Sequence, residues 1–559
     1  MTERRVWALA SLVAGVIVTL VRRWTSWGRD EYAIWPDEPA QLAIARFIGG
    51  GTRWNMDDHS VWRPLFGTLL APVYWFTDDP TTVFHVALAL NALLGGLAAA
   101  LLVYLARRLT SVTPRWGAVI AVLVSLAPAV VFSTDFVFSE SLVAPLFLAT
   151  LLGLLRLQHR PTLANGLVAA LLAGAAFGAH SRMLPLTLIT LGVTALAVIR
   201  RRMAVRDGIA AAAVGVAAVY VITAYTAYVV DRLWDEPSTR NSIGGVKEQL
   251  LSGPAVLVSA LGQTWYLLVA SLGVVAYGSI VLLRATLRPD PPSGSWRGPT
   301  CIDARLVLLV VGACVALSMV FMSDRWRSDQ LVYGRYNDAV VMPVLVVGLA
   351  VLFGTIPLRR LAAIAAATGV GIVTTGGVLW TLRSDVLSES NGIEPMILGL
   401  QPFATSATSI DVIRISTWAA ALTLGLALLA VSVRGRWRPP AVAGAVAALL
   451  LLGWLRTDRL IDRLWDDSGD GSAVAELRDR MLIDGVDVDF YLPPGSTSTN
   501  RMMLYQFHLP RTEFTVVNDP VSGATSPYVF ARLRDDGLAE AGATLLWSDP
   551  QGRYGLWGR

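Results

Sequence analysis

The sequence predicts an all-α polytopic membrane protein that ends in a small α/β domain. Three observations lead there. Of the 559 residues, 54% are hydrophobic and only 16% charged, with a mean hydropathy of +0.55, whereas about a quarter of the residues of a soluble domain are charged. Apolar runs of about 17 to 25 residues recur as far as residue 455, each long enough to cross a hydrocarbon layer of about 30 Å as a helix. Beyond them "RTDRLIDRLWDDSGDGS" is polar and Gly-containing, and the chain takes on the composition of a water-exposed domain.

Taken in order, the runs give thirteen expected spans, at residues 6–22, 83–105, 116–133, 141–157, 163–179, 183–199, 208–230, 256–283, 305–322, 338–356, 361–381, 416–433 and 440–455. The first follows "MTERR" and no small-residue cleavage site comes after it, so it reads as a retained span and not a signal peptide. With the N-terminus in the cytoplasm, the arginine clusters at 107–115, 156–160, 200–206, 284–297, 359–360 and 434–438 all fall inside, which is the positive-inside pattern. The loops on the other side, 23–82, 231–255, 323–337 and 382–415, are longer and richer in Asp, Glu and Trp. Function is therefore expected on the outer face of the plasma membrane, with the C-terminus outside as well. Fixed-period repeats of the solenoid type and inverted hydropathy repeats of the transporter type are not evident.

Charge and cysteine content narrow the class. A net charge of +5 is small for this length, and its basic residues sit in short clusters between spans, so they read as topology signals and not as a nucleic-acid surface. Lys247 is the single lysine among 46 basic residues, and Ala and Val are abundant, a bias that fits a high-GC bacterial genome. Cys301, in a loop, and Cys314, inside a span, are placed too differently to pair, so neither a disulfide framework nor a thiolate metal site is expected. The division is a transmembrane module over 1–460 and a linker with an extracytoplasmic α/β domain over 461–559. In the latter, "SAVAELRDRMLIDG" and "NRMMLYQFHLP" read as helices, and "VDVDFYLPP" and "TEFTVVND" as strands.

The first outer loop carries the first paired acids, Asp37 and Glu38, in "WPDEPAQLAIARFIGG". The apolar run behind them is too short to span and has a Gly stop, so it reads as a helix in the interface; "HSVWRPLFGTLLAPVYWF" is a second one. Asp37 reads as an N-cap with Pro39 near the helix start, or else as a general base near the membrane surface, where partial burial raises a carboxyl pKa. A cap needs one side chain, and the second carboxylate points about 100° away. The second outer turn, "FSTDFVFSESL", holds Asp135 and Glu140, either as helix-terminal polar residues or as a second acid beside Asp37.

Two arginines stand on the side where positive charge is disfavoured. Arg182 follows His180 in "GAHSRMLPL", and Arg335 lies between Tyr333 and Tyr336 in "LVYGRYNDAV". Each reads as a snorkelling side chain in an aromatic belt, or as a guanidinium fork that holds a phosphate and stabilises it as it departs. His59 and Arg63 in "DDHSVWRP" are candidates for the same cavity or for a solvated loop. Asp57 and Asp58 next to His59 make poor metal ligands without a second cluster.

The order of these features resembles the GT-C superfamily of membrane glycosyltransferases, nearest in type to the protein O-mannosyltransferases and the aminoarabinose (ArnT-like) transferases. The features are an Asp-Glu pair after span one, interfacial helices in that loop, an acidic second turn, an Arg-Tyr motif before a late span and a C-terminal domain. The resemblance is clearest over 1–200 and 325–345 and leaves the last ninety residues outside it. It implies an inverting transfer of a sugar from a polyprenyl-phosphate donor to an envelope glycan, lipid or protein at the outer face, without a nucleotide-sugar site; no cofactor is expected, and a requirement for a divalent metal is not visible in the sequence. Under it Asp37 is the catalytic base, Glu38 its partner, Asp135 or Glu140 the second-turn acid, and Arg335 with Tyr336 the region that contacts the lipid phosphate. "YGRYND" departs from the Arg-Tyr-Leu-Leu-Pro form of the nearest families. Two other classes stand beside this one. A transporter or lipid-carrier flippase wants ionisable groups in mid-span or broken helices in repeated halves, and a non-catalytic envelope scaffold leaves Asp37 and Glu38 without a purpose.

Overall fold

A computed structural model describes residues 2–559 apart from 34–36, 57–61, 235–252, 288–298, 324–326, 356, 390–393, 405–408, 469–470, 480–482, 484, 494–499, 535–536 and 551. The first half of the chain forms α1 (Glu3–Thr25), α2 (Asp37–Ile48), α3 (Leu65–Leu70), α4 (Pro80–Leu109), α5 (Pro114–Ser125), α6 (Pro128–Val131), α7 (Glu140–His159), α8 (Leu163–Ala179), α9 (Leu184–Ile199) and α10 (Val205–Leu233). Then follow α11 (Gly253–Ala270), α12 (Val274–Leu287), α13 (Cys301–Phe321), α14 (Ser328–Leu331), α15 (Arg335–Val340), α16 (Met342–Ala350), α17 (Leu358–Ser388), α18 (Val412–Ser432) and α19 (Arg438–Ser468). Among the described residues ten helices are long and apolar enough to cross a membrane, and a bent pair makes an eleventh.

Each predicted span coincides with helix, but three are not simple rods. The run at 256–283 is divided into α11 and α12 at Leu272 and Gly273, both with positive φ. Glycine supplies that conformation at little cost, and a Cβ on Gly273 would press on Thr368 and Thr423. The run at 116–133 stops as α5 at Ser125, and Pro128 opens the short α6. The run at 338–356 belongs to a pair, Ser328–Val340 and Met342–Gly354, bent by 72°. Pro343, in the first turn of α16, has no N–H with which to continue the preceding helix. Hydropathy reports how apolar a run is and not where it turns.

Close packing rests on small residues, as in membrane bundles. Gly278 of α12 lies against the Val344 carbonyl of α16, and Gly348 of α16 against the Val274 carbonyl of α12, so a Cβ on either would collide with backbone. Gly95 and Gly96 of α4 leave the room through which α1 passes and into which Arg22 folds. At one end of the bundle Asp303, at the start of α13, accepts from Arg108 Nη2 at 3.2 Å and from His159 Nε2 at 2.7 Å, which ties the ends of α4 and α7 to it.

The opposite end is capped by the C-terminal domain, with α20 (Gly471–Asp479), α21 (Asn500–His508), α22 (Gly537–Glu540) and a five-stranded sheet. Its strands are β1 (Val488–Tyr491), β2 (Phe514–Val517), β3 (Tyr528–Arg532), β4 (Thr544–Ser548) and β5 (Tyr554–Gly558), in the order β2-β1-β3-β5-β4. β1 runs parallel to β2 and β3, while β5 is antiparallel to β3 and β4. The four elements read from sequence are α20, β1, α21 and β2; β3 to β5 are additions of the structure.

The domain grips α2. Arg46 is buried and its Nη1 donates to the Gln506 carbonyl at 2.9 Å. The Gln506 side chain accepts from Asn55 N at 2.6 Å and donates to the Asn55 carbonyl at 3.2 Å. His508 Nε2 sits 2.7 Å from Glu31 Oε2, and Phe507 meets the edges of Tyr32 and Phe84.

Candidate active site

Three short helix starts converge at the capped end. Asp37 begins α2, Glu140 begins α7 and Arg335 begins α15. Carboxylates are favoured at helix N-termini by the peptide dipoles and a guanidinium is not, so Arg335 holds its position through its partners. It forms an ion pair with Asp37 through Nη1, and its Nε lies 2.6 Å from Glu140 Oε1. Its guanidinium carbon stands 3.6 Å above the Phe138 ring. Arg335 and Glu140 are buried, while the Asp37 side chain keeps 18% of its surface open, so Asp37 is the carboxylate that a bound molecule can reach.

The second turn, "FSTDFVFSESL", is the wall of this site, and its two acids part company. Glu140 joins Asp37 on Arg335. Asp135 accepts instead from Thr25 Oγ1 at 3.1 Å, fully buried behind the end of α1. Glu38 also differs from its expected role as partner of Asp37 in catalysis. Its Oε1 accepts from Val137 N at 2.7 Å and its Oε2 from Ala33 N at 2.9 Å, with no exposed surface. Both oxygens are thus used to clamp the first outer loop to the second turn, and burying a carboxylate is tolerable only with such donors.

The remaining candidates gather on the other side of Arg335. Arg182 is buried with its guanidinium carbon 3.5 Å over the Tyr336 ring and 4.9 Å from that of Phe321. Tyr333 packs on Tyr336 with ring centroids 4.7 Å apart, and His180 on Tyr336 at 4.8 Å. Arg182 Nη1 has no hydrogen-bond partner among the described residues. An unsatisfied buried donor of this kind is costly unless a ligand completes it. His180 is pushed well below the usual histidine range by burial and by Arg182 and Arg335, so its ring is neutral, with Nδ1 accepting from Arg182 N. Arg63 stacks 4.1 Å over Phe177 and donates to Thr226; His59 lies outside the described residues.

Several contributors were not foreseen. Gly334, in "YGRYND", is one: a Cβ there would overlap the Tyr266 ring. The Tyr266 hydroxyl donates to Asp338 Oδ2 at 2.9 Å and accepts from Gly399 N at 3.1 Å, which braces α15 from below. Gly334→Ala is expected to displace Tyr266 and Arg335 together. A melting temperature lower by several degrees in detergent, with activity lost, is the outcome to look for, and wild-type values in both would refute the tight fit.

Two cavities meet at α15. One, small at about 20 Å³, is lined by Arg22, Ser133, Glu140, Arg335 and Asp338 among others. The other, of about 80 Å³, is mostly apolar, walled by Leu123, Leu267, Leu345 and Leu426 among others, and shares Ala129, Val130 and Asp338 with the first. A charged pocket and an oily groove thereby share a wall.

No family model matches the sequence, and no curated protein does. Among solved structures, ArnT from Cupriavidus metallidurans bound to undecaprenyl phosphate aligns with a TM-score of 0.53 at 16% identity, over 98% of this chain and 97% of that one. The apo state of the same protein gives 0.52 at 17% identity over the same shares. The chain has the GT-C fold. Arabinosyltransferase EmbB from Mycobacterium smegmatis aligns at 0.44 and 15% identity, over 81% of this chain and 41% of that one. The GT-C likeness to ArnT runs nearly end to end and therefore takes in the C-terminal domain, which the sequence resemblance left out. What this chain does with its Asp37–Arg335–Glu140 arrangement has to be argued from its own geometry.

Burial pushes the Asp135 carboxyl up to about 7, against the attraction of Arg29 and Arg22 and the Thr25 hydrogen bond, with Asp458 adding to the rise. Below about pH 4 the acid is protonated in the folded and unfolded chain alike. Between about pH 4 and 7 the unfolded chain releases the proton and the folded one keeps it, so stability falls as pH rises through this window. Asp135→Asn lacks that loss. Its stability should match that of the native protein at pH 4 and exceed it at pH 8, by on the order of 4 kcal/mol; parallel curves would place the charge elsewhere.

Proposed function

We propose that the protein is an inverting glycosyltransferase of a bacterial plasma membrane, moving a sugar from a polyprenyl-phosphate donor to a hydroxyl of a cell-envelope acceptor. The observation that carries this reading is one cluster with three parts. A partly exposed carboxylate is held by Arg335, a buried guanidinium on Arg182 is short of a partner, and an apolar groove lies on the side of α15 that carries Asp338. A lipid-linked sugar phosphate needs all three: a base for the acceptor, a cation for the phosphate and a dry channel for the tail. The GT-C fold, shared with a protein solved with undecaprenyl phosphate, is in keeping with it.

In this reading Asp37 takes the proton of the acceptor hydroxyl as its oxygen attacks the anomeric carbon from the face opposite the phosphate. The bond between that carbon and the phosphate oxygen breaks, and polyprenyl phosphate leaves with the bonding pair. Arg182 meets the charge that develops on the leaving oxygens, with Tyr336 beneath its guanidinium. Arg335 works by position: bound to two carboxylates, it fixes Asp37 and is not itself the phosphate ligand, which reverses the order suggested by the family resemblance. Glu38 and Asp135 are assigned to holding the loops. The site then faces outward, with the N-terminus cytoplasmic and the C-terminal domain outside, and the domain over 461–559 serves as its lid. Incubating the purified protein with a panel of polyprenyl-phosphate sugars and an envelope extract tests the reading. Transfer by the native protein and none by Asp37→Asn is expected; no transfer from any donor would overturn it.

A further inference from the structure

A second cleft lies apart from the reacting cluster, at the seam between α1 and α19. Its volume is about 340 Å³, at the lower end of the range of small-molecule sites. Trp24, Trp27, Trp454, Arg29, Asp458 and Asp462 line it. On α19, Leu451, Trp454, Leu455, Asp458 and Asp462 follow at steps of three, one, three and four, so one helix face passes from apolar to acidic. Belt tryptophans alone are common at membrane surfaces. Two carboxylates at i and i+4 are not, since like charges so placed repel. Arg29, buried, answers both: its Nη2 is 2.6 Å from Asp462 Oδ1 and 3.9 Å from Asp458 Oδ1. Both acids remain about half exposed, at 50% and 52%, and keep acceptor oxygens toward the cleft.

The aromatic walls are of two kinds. Trp454 is fixed, with its Nε1 donating to the Leu126 carbonyl at 2.8 Å and its ring against the edge of Phe132. Trp24 and Trp27 are open, at 70% and 74% exposure. Flat apolar faces beside carboxylates and a guanidinium suit one ligand chemistry in particular. The C–H faces of a sugar ring lie on the indoles, its hydroxyls donate to Asp458 and Asp462, and its ring or hydroxyl oxygens accept from Arg29. A phosphate would be repelled by the acids, and a lipid tail would leave them unanswered.

The cleft also backs onto the reacting pocket. Thr25 lines it and donates to Asp135, and Arg22, within electrostatic reach of Asp135, lines the pocket of Glu140 and Arg335 on the far side. We propose that this cleft is a second saccharide site that holds an uncharged, non-reacting sugar of the acceptor glycan. The acceptor assignment rests on the transferase reading above; the binding of sugar does not.

Saturation-transfer NMR on the full chain in phosphatidylglycerol nanodiscs, without donor, separates the two. The probes are mannobiose, galactobiose and chitobiose. At least one should receive saturation from aromatic protons, with affinity at least five-fold weaker in Trp27→Ala and in the conservative Asp458→Asn, and unchanged in Asp37→Asn. No transfer to any probe, equal binding by both cleft variants, or equal weakening by Asp37→Asn would overturn the site. A native protein that binds sugar in the cleft but, given polyprenyl-phosphate sugars, glycosylates no acceptor would overturn the transferase reading and the acceptor assignment with it, while leaving the sugar site standing.

Discussion

Asp37→Asn is expected to lower sugar transfer by about 10²- to 10⁴-fold, the usual worth of a general base, with donor binding kept within about two-fold. Asparagine preserves the shape of the side chain and a hydrogen-bond acceptor for Arg335, and removes only the charge and basicity. Glu140 remains on the other side of Arg335 at 2.6 Å, so the guanidinium is not left uncompensated in a buried place, where the loss of both partners would cost several kcal/mol. The measurement is turnover of a labelled polyprenyl-phosphate sugar against a binding isotherm for the same donor. Turnover within a few-fold of native would remove Asp37 from the chemistry and turn attention to Glu140.

Arg182→Ala should act on the other half of the reaction. A charge-assisted hydrogen bond to phosphate is worth roughly 1.5 to 3 kcal/mol, so donor affinity is expected to fall by about 10- to 100-fold. Arg182→Lys should recover only part of it, because an ammonium cannot reproduce the planar fork or its stacking on Tyr336. Arg335→Ala offers the contrast. It strands Asp37 and Glu140 side by side, and the expected result is a destabilised protein with little activity and not a folded protein with a weakened donor site. If Arg335→Ala proves folded and weak only in donor binding, while Arg182→Ala binds normally, the two roles are the other way round.

The sequence was most legible where a single physical property decides structure. Apolar length located the helices, and the short apolar run after Asp37 and Glu38 became α2 as expected. It was less legible where partners come from far along the chain. Asp37 and Arg335 are 298 residues apart, and nothing in either neighbourhood states that they meet. Asp135 and Glu140 look interchangeable in "FSTDFVFSESL"; only the register of the turn sends one to Arg335 and the other to Thr25. Glu38 was read as chemistry because two adjacent acids suggest it, but its oxygens answer backbone N–H groups that fold alone reveals. Arg182 carries an open donor only because the tyrosines beneath it occupy its face and not its edge.

The grip of α21 on α2 has a consequence for how the protein is made. Arg46 is translated early and its carbonyl partner, Gln506, comes 460 residues later. Until the last domain has been synthesised and docked, Arg46 at the far end of the helix that begins with Asp37 has only its local partners, Thr52 and the Trp54 ring. The helix that begins with Asp37 is therefore held at its far end by a part of the chain that is made last.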